Sequence, residues 1–214
     1  MSRTFVCSDP DEREVGIDAA VAVIQRGGLI VIPTDTVYGI AADAFSPSAV
    51  DALLAAKMRG RDMPVPVLVG SVQTLDGLAP DRPAVADDLV EAFWPGGLTI
   101  VVRHTSSLAW DLGETRGTVA LRMPLHPVAL DLLRKTGPLA VSSANVSGRG
   151  ATVTAAEAEA QLGDSVAVYL DGGPCDEPVP SSIVDLTGPE PRLVRAGAVT
   201  ADELREVVPD LLVP

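Results

Sequence analysis

Four short stretches hold the side chains able to do chemistry. "PTDTVYG" (33–39) sets Thr34, Asp35, Thr36 and Tyr38 directly after an apolar run, and "AAKMRGR" (55–61) gathers Lys57, Arg59 and Arg61. "TVALR" (118–122) puts Arg122 in an otherwise apolar segment, and "VSSAN" (141–145) brings Ser142, Ser143 and Asn145 together. Hydroxyls and cations at the ends of apolar runs suit the binding of anions such as phosphate or carboxylate, because guanidinium groups grip both in bidentate fashion. An arginine inside an apolar segment is costly unless it faces a cleft, an anion or a buried aspartate. Arg195 in "RLVRAG" poses the same choice. Each stretch has a plainer reading beside this one. Asp35 and Thr36 could cap a turn, "SSAN" could be a helix N-cap, and Arg122 could belong to a structural ion pair.

Several chemistries are struck out by inspection. There is no GxxxxGK[ST], no GxGxxG after a strand, no HExxH and no GxSxG. The common nucleotide loops, the zinc-protease helix and the hydrolase elbow therefore have no support. His104 and His126 are the only histidines and read as surface or turn residues; with two scattered cysteines, Cys7 and Cys175, no metal site is expected. Asp176 and Glu177 beside Cys175 should disfavour its thiolate, so both cysteines read as ordinary thiols.

The elements that must position these groups alternate between helix and strand. "EREVGIDAAVAVIQRGG" has helical spacing and stops on Gly27 and Gly28, and "LIVIPT" follows as a buried strand. In "SPSAVDALLAAKM" Ser46 is the N-cap and Pro47 the first helical residue, which places Lys57 in the last turn and Arg59 just past it. Further strands are expected in "VPVLVG", "LTIVVRH", "TVALRMP", "LAVSSAN", "AVYLDGG", "SSIVDLTG" and "RLVRAG", with helices near 83–93, 126–135, 154–162 and 200–208. Phe93 and Trp94 read as core. "DGGPCDEPVPSS" reads as a flap over a site rather than a domain boundary. The fold class is α/β with one mixed sheet, and residues 1–214 form one domain.

Net charge narrows the partners. At -13 over 214 residues the chain is poorly suited to unselective binding of nucleic acid or anionic membrane, although a local basic cleft is compatible with it. The absence of an eighteen-residue apolar run and of a signal-peptide pattern in "MSRTFVCSDPDEREV" points to a cytoplasmic protein without membrane contact.

Taken in order, these stretches resemble the YrdC-like domain family, specifically the threonylcarbamoyl-AMP synthases. The likeness covers about residues 10 to 200. It rests on "IPTDTVYGIAADA", the KxR of "AAKMRGRDMPVPVLV", "FWPGGLTIVV", "VALRMPLHP", the SxN of "VSSANVSG", "PSSIVDLTG" and "LVRAG". The resemblance implies a single twisted mixed sheet with flanking helices around a deep basic cleft. It also implies the conversion of L-threonine, bicarbonate and ATP, with Mg2+, into threonylcarbamoyl-AMP and pyrophosphate, for a downstream tRNA threonylcarbamoyl transferase machinery. Carried over by position, Thr36, Arg122, Ser142 and Ser182 form the threonine pocket. Lys57, Arg59, Thr118, Ser143, Ala144, Asn145, Thr152 and Arg195 form the ATP side, and Lys57 and Arg59 stabilise charge on the phosphates. No residue declares itself as a general base, Asp35 included.

The chain departs from the family at Gly60, where many relatives have proline, and at Met63, where they have lysine, a loss for which Arg61 offers compensation. Leu68 stands where some archaeal relatives place a threonine-binding histidine. The chain reads as the short, single-domain form, the further C-terminal domain of longer relatives not being expected. Three alternatives remain open at this point: the sister carbamoyl-adenylate activity, an RNA-binding module in contact with tRNA or other RNA, and a non-catalytic regulator that binds ATP or threonine.

Overall fold

β2 (Ile30–Ile32) is wholly buried, and its alternation divides the interior: Val31 faces one hydrophobic cluster, Ile30 and Ile32 the other. A strand covered on both faces reads as a continuous apolar run, as "LIVI" does. The computed structural model describes residues 2–175 and 178–213. Around β2 stand β1 (Arg3–Val6), β3 (Gly39–Asp43), β4 (Val67–Leu68), β5 (Leu98–Arg103), β6 (Thr118–Arg122), β7 (Leu139–Ser143), β8 (Val168–Asp171), β9 (Ser182–Asp185) and β10 (Arg192–Arg195). They join one twisted sheet in the order β1-β8-β2-β3-β7-β4-β6-β5-β9-β10. The sheet is mixed: β8 runs parallel to β1 and β2, while β3 is antiparallel to both β2 and β7.

Helices cover the sheet unevenly. α1 (Pro10–Gln25) and α5 (Pro127–Thr136) lie against Ile30, Ile32, Ala41, Leu139 and Val141 on one face. The opposite face is covered by α2 (Pro47–Ala56), α3 (Thr74–Leu78), α4 (Ala84–Phe93), α6 (Ala155–Leu162) and α7 (Ala201–Val207). Against these pack Ile100 and Val102 of β5 and Val119 and Leu121 of β6. The residues between them, Val101 and Ala120, join neither cluster and line a cavity instead. With a side-chain period of two, a strand whose odd and even positions both read as apolar can serve a core on one side and a ligand site on the other.

Local signals act as expected where they are strong. The Ser46 hydroxyl accepts from the Ala49 N–H, Pro47 opens α2, and Lys57 is its C-cap. Trp94 is buried and donates from Nε1 to the Leu98 carbonyl at 2.8 Å. Three elements carry no legible signal. β1 lies outside the expected core of 10–200 and is held by pairing with β8; α3 is five residues long. β3 reads "GIAAD", glycine and alanine being poor strand formers, yet it sits between β2 and β7 with Ile40, Ala41 and Ala42 fully buried. Small residues are needed there: a Cβ on Gly39 would lie 2.6 Å from Val141 Cγ1.

Candidate functional site

The uncovered face of β5, β6 and β9 forms the floor of a cavity of about 420 Å³. Thr99 and Val101 come from β5, Thr118, Ala120 and Arg122 from β6, and Ile183 from β9. The loop after β2 brings Thr34 and Thr36, the end of β7 brings Ser142 and Ser143, and the segment after α2 brings Arg59. Arg195 and Ser181 join it, so that three guanidinium groups share one cavity that no carboxylate lines among the described residues.

Arg122 is fixed on three sides. Its Nε donates to the Gly96 carbonyl at 2.8 Å, one terminal nitrogen to Thr36 Oγ1 at 2.9 Å, and the other to Asp35 Oδ1 at 2.6 Å. Asp35 also accepts from the Leu125 N–H at 2.9 Å. Three of the five guanidinium hydrogens are thereby committed and two remain. Both readings of Arg122 therefore apply at once: it has a partly buried aspartate partner and it faces a cleft.

The cations sit near one another. Burial, and the neighbouring Arg122, hold Arg195 below its ordinary pKa; burial does the same to Arg59, against a counter-pull from Asp62. Burial and the charge of Arg59 bring Lys57 down to about 8. Adjacent like charges drawn out of water favour an incoming anion. Arg59 donates to Ser142 Oγ at 3.1 Å and to the Pro64 carbonyl at 3.3 Å, while its Nε is buried without a hydrogen-bond partner, as is Asn145 Oδ1.

Seven of the residues expected from the sequence, Thr36, Arg59, Thr118, Arg122, Ser142, Ser143 and Arg195, line the cavity together. Five others stand behind its wall. Lys57 is 2% exposed and donates to the carbonyls of Ser143 and Asn145. Thr152 donates to the Ala144 carbonyl at 3.2 Å, and the Ala144 N–H donates to the Tyr38 carbonyl at 2.8 Å. The Asn145 amide donates to the carbonyls of Val146 and Arg149, tightening the same turn. Ser182 is fully buried, its hydroxyl donating to the Val199 carbonyl and accepting from the Val199 N–H at 3.1 Å. It is Ser181 whose hydroxyl lines the cavity, 2.8 Å from Thr99 Oγ1 and 2.9 Å from a terminal nitrogen of Arg195.

Arg61, expected as compensation for the missing lysine, is engaged elsewhere. It pairs with Asp51 and Asp111 on the outer surface, and it is not among the residues lining the cavity. Leu68 does line it, beside Val141 and Pro66. Thr34, Thr99, Thr115 and Ser181 are serine and threonine residues of the lining that were not expected as site residues. A signal existed for Thr99, the one polar residue in "LTIVV" and of the same parity as Val101. The expected flap contributes Pro180 and Ser181 to the lining; Asp176 and Glu177, expected to disfavour the Cys175 thiolate, lie outside the described residues. Half-buried His126, expected as a surface or turn residue, precedes α5 as its N-cap. No helix among the described residues is long and apolar enough to cross a membrane.

The Sua5/YciO/YrdC family model, described as "Telomere recombination", matches residues 22–197. A Mycobacterium tuberculosis (strain H37Rv) protein provisionally named threonylcarbamoyl-AMP synthase is 58% identical over 208 residues, covering 97% of this chain and 96% of its own. The threonylcarbamoyl-AMP synthase of Pyrococcus abyssi is 34% identical over 196 residues, which is 91% of this chain and 58% of that protein. Among solved structures, P. abyssi Sua5 complexed with L-threonine superposes with a TM-score of 0.91 at 32% identity, over 100% of this chain and 62% of that one. Escherichia coli YciO superposes with a TM-score of 0.84 at 25% identity, over 95% of this chain and all of its own.

Proposed function

The chain belongs to the Sua5/YciO/YrdC family, and from that premise we propose that it is an L-threonylcarbamoyladenylate synthase, a nucleotidyltransferase that converts L-threonine, bicarbonate and ATP into threonylcarbamoyl-AMP and pyrophosphate. The observation that carries this reading is the convergence of Arg59, Arg122 and Arg195 with serine and threonine hydroxyls in one cavity that, among the described residues, no carboxylate lines. All three substrates are anions or carry an anionic group, and such a cavity offers each a cation.

In this reading Arg122 holds the threonine carboxylate with its two uncommitted hydrogens, and Thr36 and Ser142 complete the pocket. Ser182 serves it by anchoring Val199 behind the wall, with Ser181 presenting the hydroxyl. Arg59, Arg195, Thr118 and Ser143 face the nucleotide. Lys57, Ala144, Asn145 and Thr152 fix the turn that carries Ser143, and the Lys57 charge acts on the phosphate side from behind the wall. The threonine amine adds to carbon dioxide derived from bicarbonate and loses a proton to give a carbamate. A carbamate oxygen then attacks the α-phosphorus, and the bond to the leaving pyrophosphate breaks. Catalysis is positioning and charge stabilisation by Lys57 and Arg59. Magnesium enters with ATP, whose phosphate oxygens are suitable hard ligands, since the described lining residues offer hydroxyls but no carboxylate to hold the ion.

The product feeds a separate tRNA threonylcarbamoyl transferase machinery in the cytoplasm. A purely RNA-binding role and a non-catalytic one are not favoured, given the names of the relatives and the net charge of -13. The test is pyrophosphate release from ATP by the purified protein. Release that requires both L-threonine and bicarbonate, and prefers threonine over serine, supports the synthase; ATP binding without release rejects it.

A further inference from the structure

Hydrogen-bond arithmetic in the loop after β2 constrains what the site can recognise. Thr34 and Thr36 are 5% and 1% exposed and both line the cavity. Thr34 Oγ1 lies 2.6 Å from the Val37 carbonyl, 3.1 Å from Thr36 Oγ1 and 3.2 Å from the Thr36 N–H. A threonine hydroxyl has one hydrogen and two lone pairs. The Val37 carbonyl can only accept, so the Thr34 hydrogen goes there. One Thr34 lone pair takes the Thr36 N–H, and the other is left for the Thr36 hydroxyl, which must then be the donor in the contact between the two side chains.

That commits the single hydrogen of Thr36. One of its lone pairs accepts from Arg122 at 2.9 Å, and what remains is one lone pair beside a guanidinium. We infer that Thr34 is a positioning residue that sets the hydrogen-bond polarity of the site, so that Thr36 meets the bound amino acid as an acceptor only and reads a donor on it, its hydroxyl or its amine. The inference rests on the proposed binding of an amino acid through Arg122. The pairing is complementary: Arg122 can only donate and takes the carboxylate, while Thr36 can only accept and takes an N–H or O–H of the same molecule.

Two substitutions test it. Thr34→Val keeps the shape but removes donor and acceptor, freeing the Thr36 hydrogen to turn; Thr34→Ser keeps the polarity. L-Threonine affinity is measured by calorimetry on both variants and the wild type. ATP affinity and thermal melting serve as controls, and L-2-aminobutyrate, which lacks the hydroxyl, is the second ligand. The expected result is threonine binding weakened about tenfold or more in Thr34→Val and within about threefold of wild type in Thr34→Ser, with ATP affinity unchanged in both. If the donor read is the hydroxyl, wild type prefers threonine to 2-aminobutyrate and Thr34→Val loses that preference. If it is the amine, both ligands weaken together in Thr34→Val.

Unchanged threonine binding in Thr34→Val overturns the inference. So does equal loss in both variants, or a parallel loss of ATP affinity, which marks a general disturbance of the loop. A wild-type protein that binds threonine but releases no pyrophosphate rejects the synthase reading and leaves this comparison intact. One that binds neither amino acid rejects both.

Discussion

Asp35 and Arg122 form an ion pair of 2.6 Å at the wall of the cavity, with side chains 17% and 8% exposed. Breaking such a pair from one side leaves an uncompensated charge out of water. Asp35→Asn is therefore expected to destabilise the fold by roughly 3 kcal/mol, and L-threonine, whose carboxylate then supplies the missing negative charge, is expected to raise the melting temperature of the variant more than that of wild type. Thermal melts with and without threonine check both. Equal ligand shifts would separate Arg122 from the threonine carboxylate.

Arg59→Ala removes a lining cation that forms no ion pair among the described residues. Turnover is expected to fall by at least about a hundredfold, with a melting temperature close to wild type. Pyrophosphate release and calorimetry on one preparation decide it. Normal turnover would remove Arg59 from the phosphate side.

The pH dependence should carry the mark of Lys57. Its ammonium, brought down to about 8 by burial and by Arg59, is charged below that pH and neutral above it. A phosphate-side cation works in the charged form, so kcat/KM for ATP is expected to decline as pH rises through about 8, on the profile that reports the free enzyme. A profile flat to about pH 9.5 would exclude Lys57 as the titrating group.

Met63 and Arg61 can be told apart by substitution. Arg61 is held by Asp51 and Asp111 outside the lining, so Arg61→Ala should leave KM for ATP within about twofold. Met63→Lys restores a cation next to Pro64, which lines the cavity, and should lower KM for ATP about threefold or more. Steady-state kinetics at fixed ionic strength compares them; the reverse order would return the compensating role to Arg61.

Gly197 admits no side chain. A Cβ there would stand 2.2 Å from the Pro180 carbonyl oxygen and 2.7 Å from that of Ser181, backbone atoms that cannot turn aside. The Ser181 carbonyl also accepts from Arg195 at 2.9 Å and 2.6 Å. Gly197→Ala is expected to cost about 3 kcal/mol and to weaken ATP binding, measured by melting and by calorimetry.

The sequence by itself determined the α/β class and most of the elements, because buried runs and caps leave signals along the chain, and an arginine in an apolar strand marked Arg122; the other residues that meet in the cavity were assigned to the site through the family resemblance. The sequence also held the parity of β6, where Thr118, Ala120 and Arg122 fall on one face and Val119 and Leu121 pack against the helices. What only the tertiary structure decided depends on neighbours distant in the chain. "GIAAD" becomes a central strand because β2 and β7 flank it and Val141 crowds Gly39. Ser181 rather than Ser182 faces the cavity because adjacent residues of an extended segment point to opposite sides, and the register of β9 against β5 fixes which. Lys57 stands behind the wall because the carbonyls of Ser143 and Asn145 meet its ammonium there, 86 and 88 positions along the chain. A hydrogen bond needs both partners in place, and sequence order alone shows only one at a time.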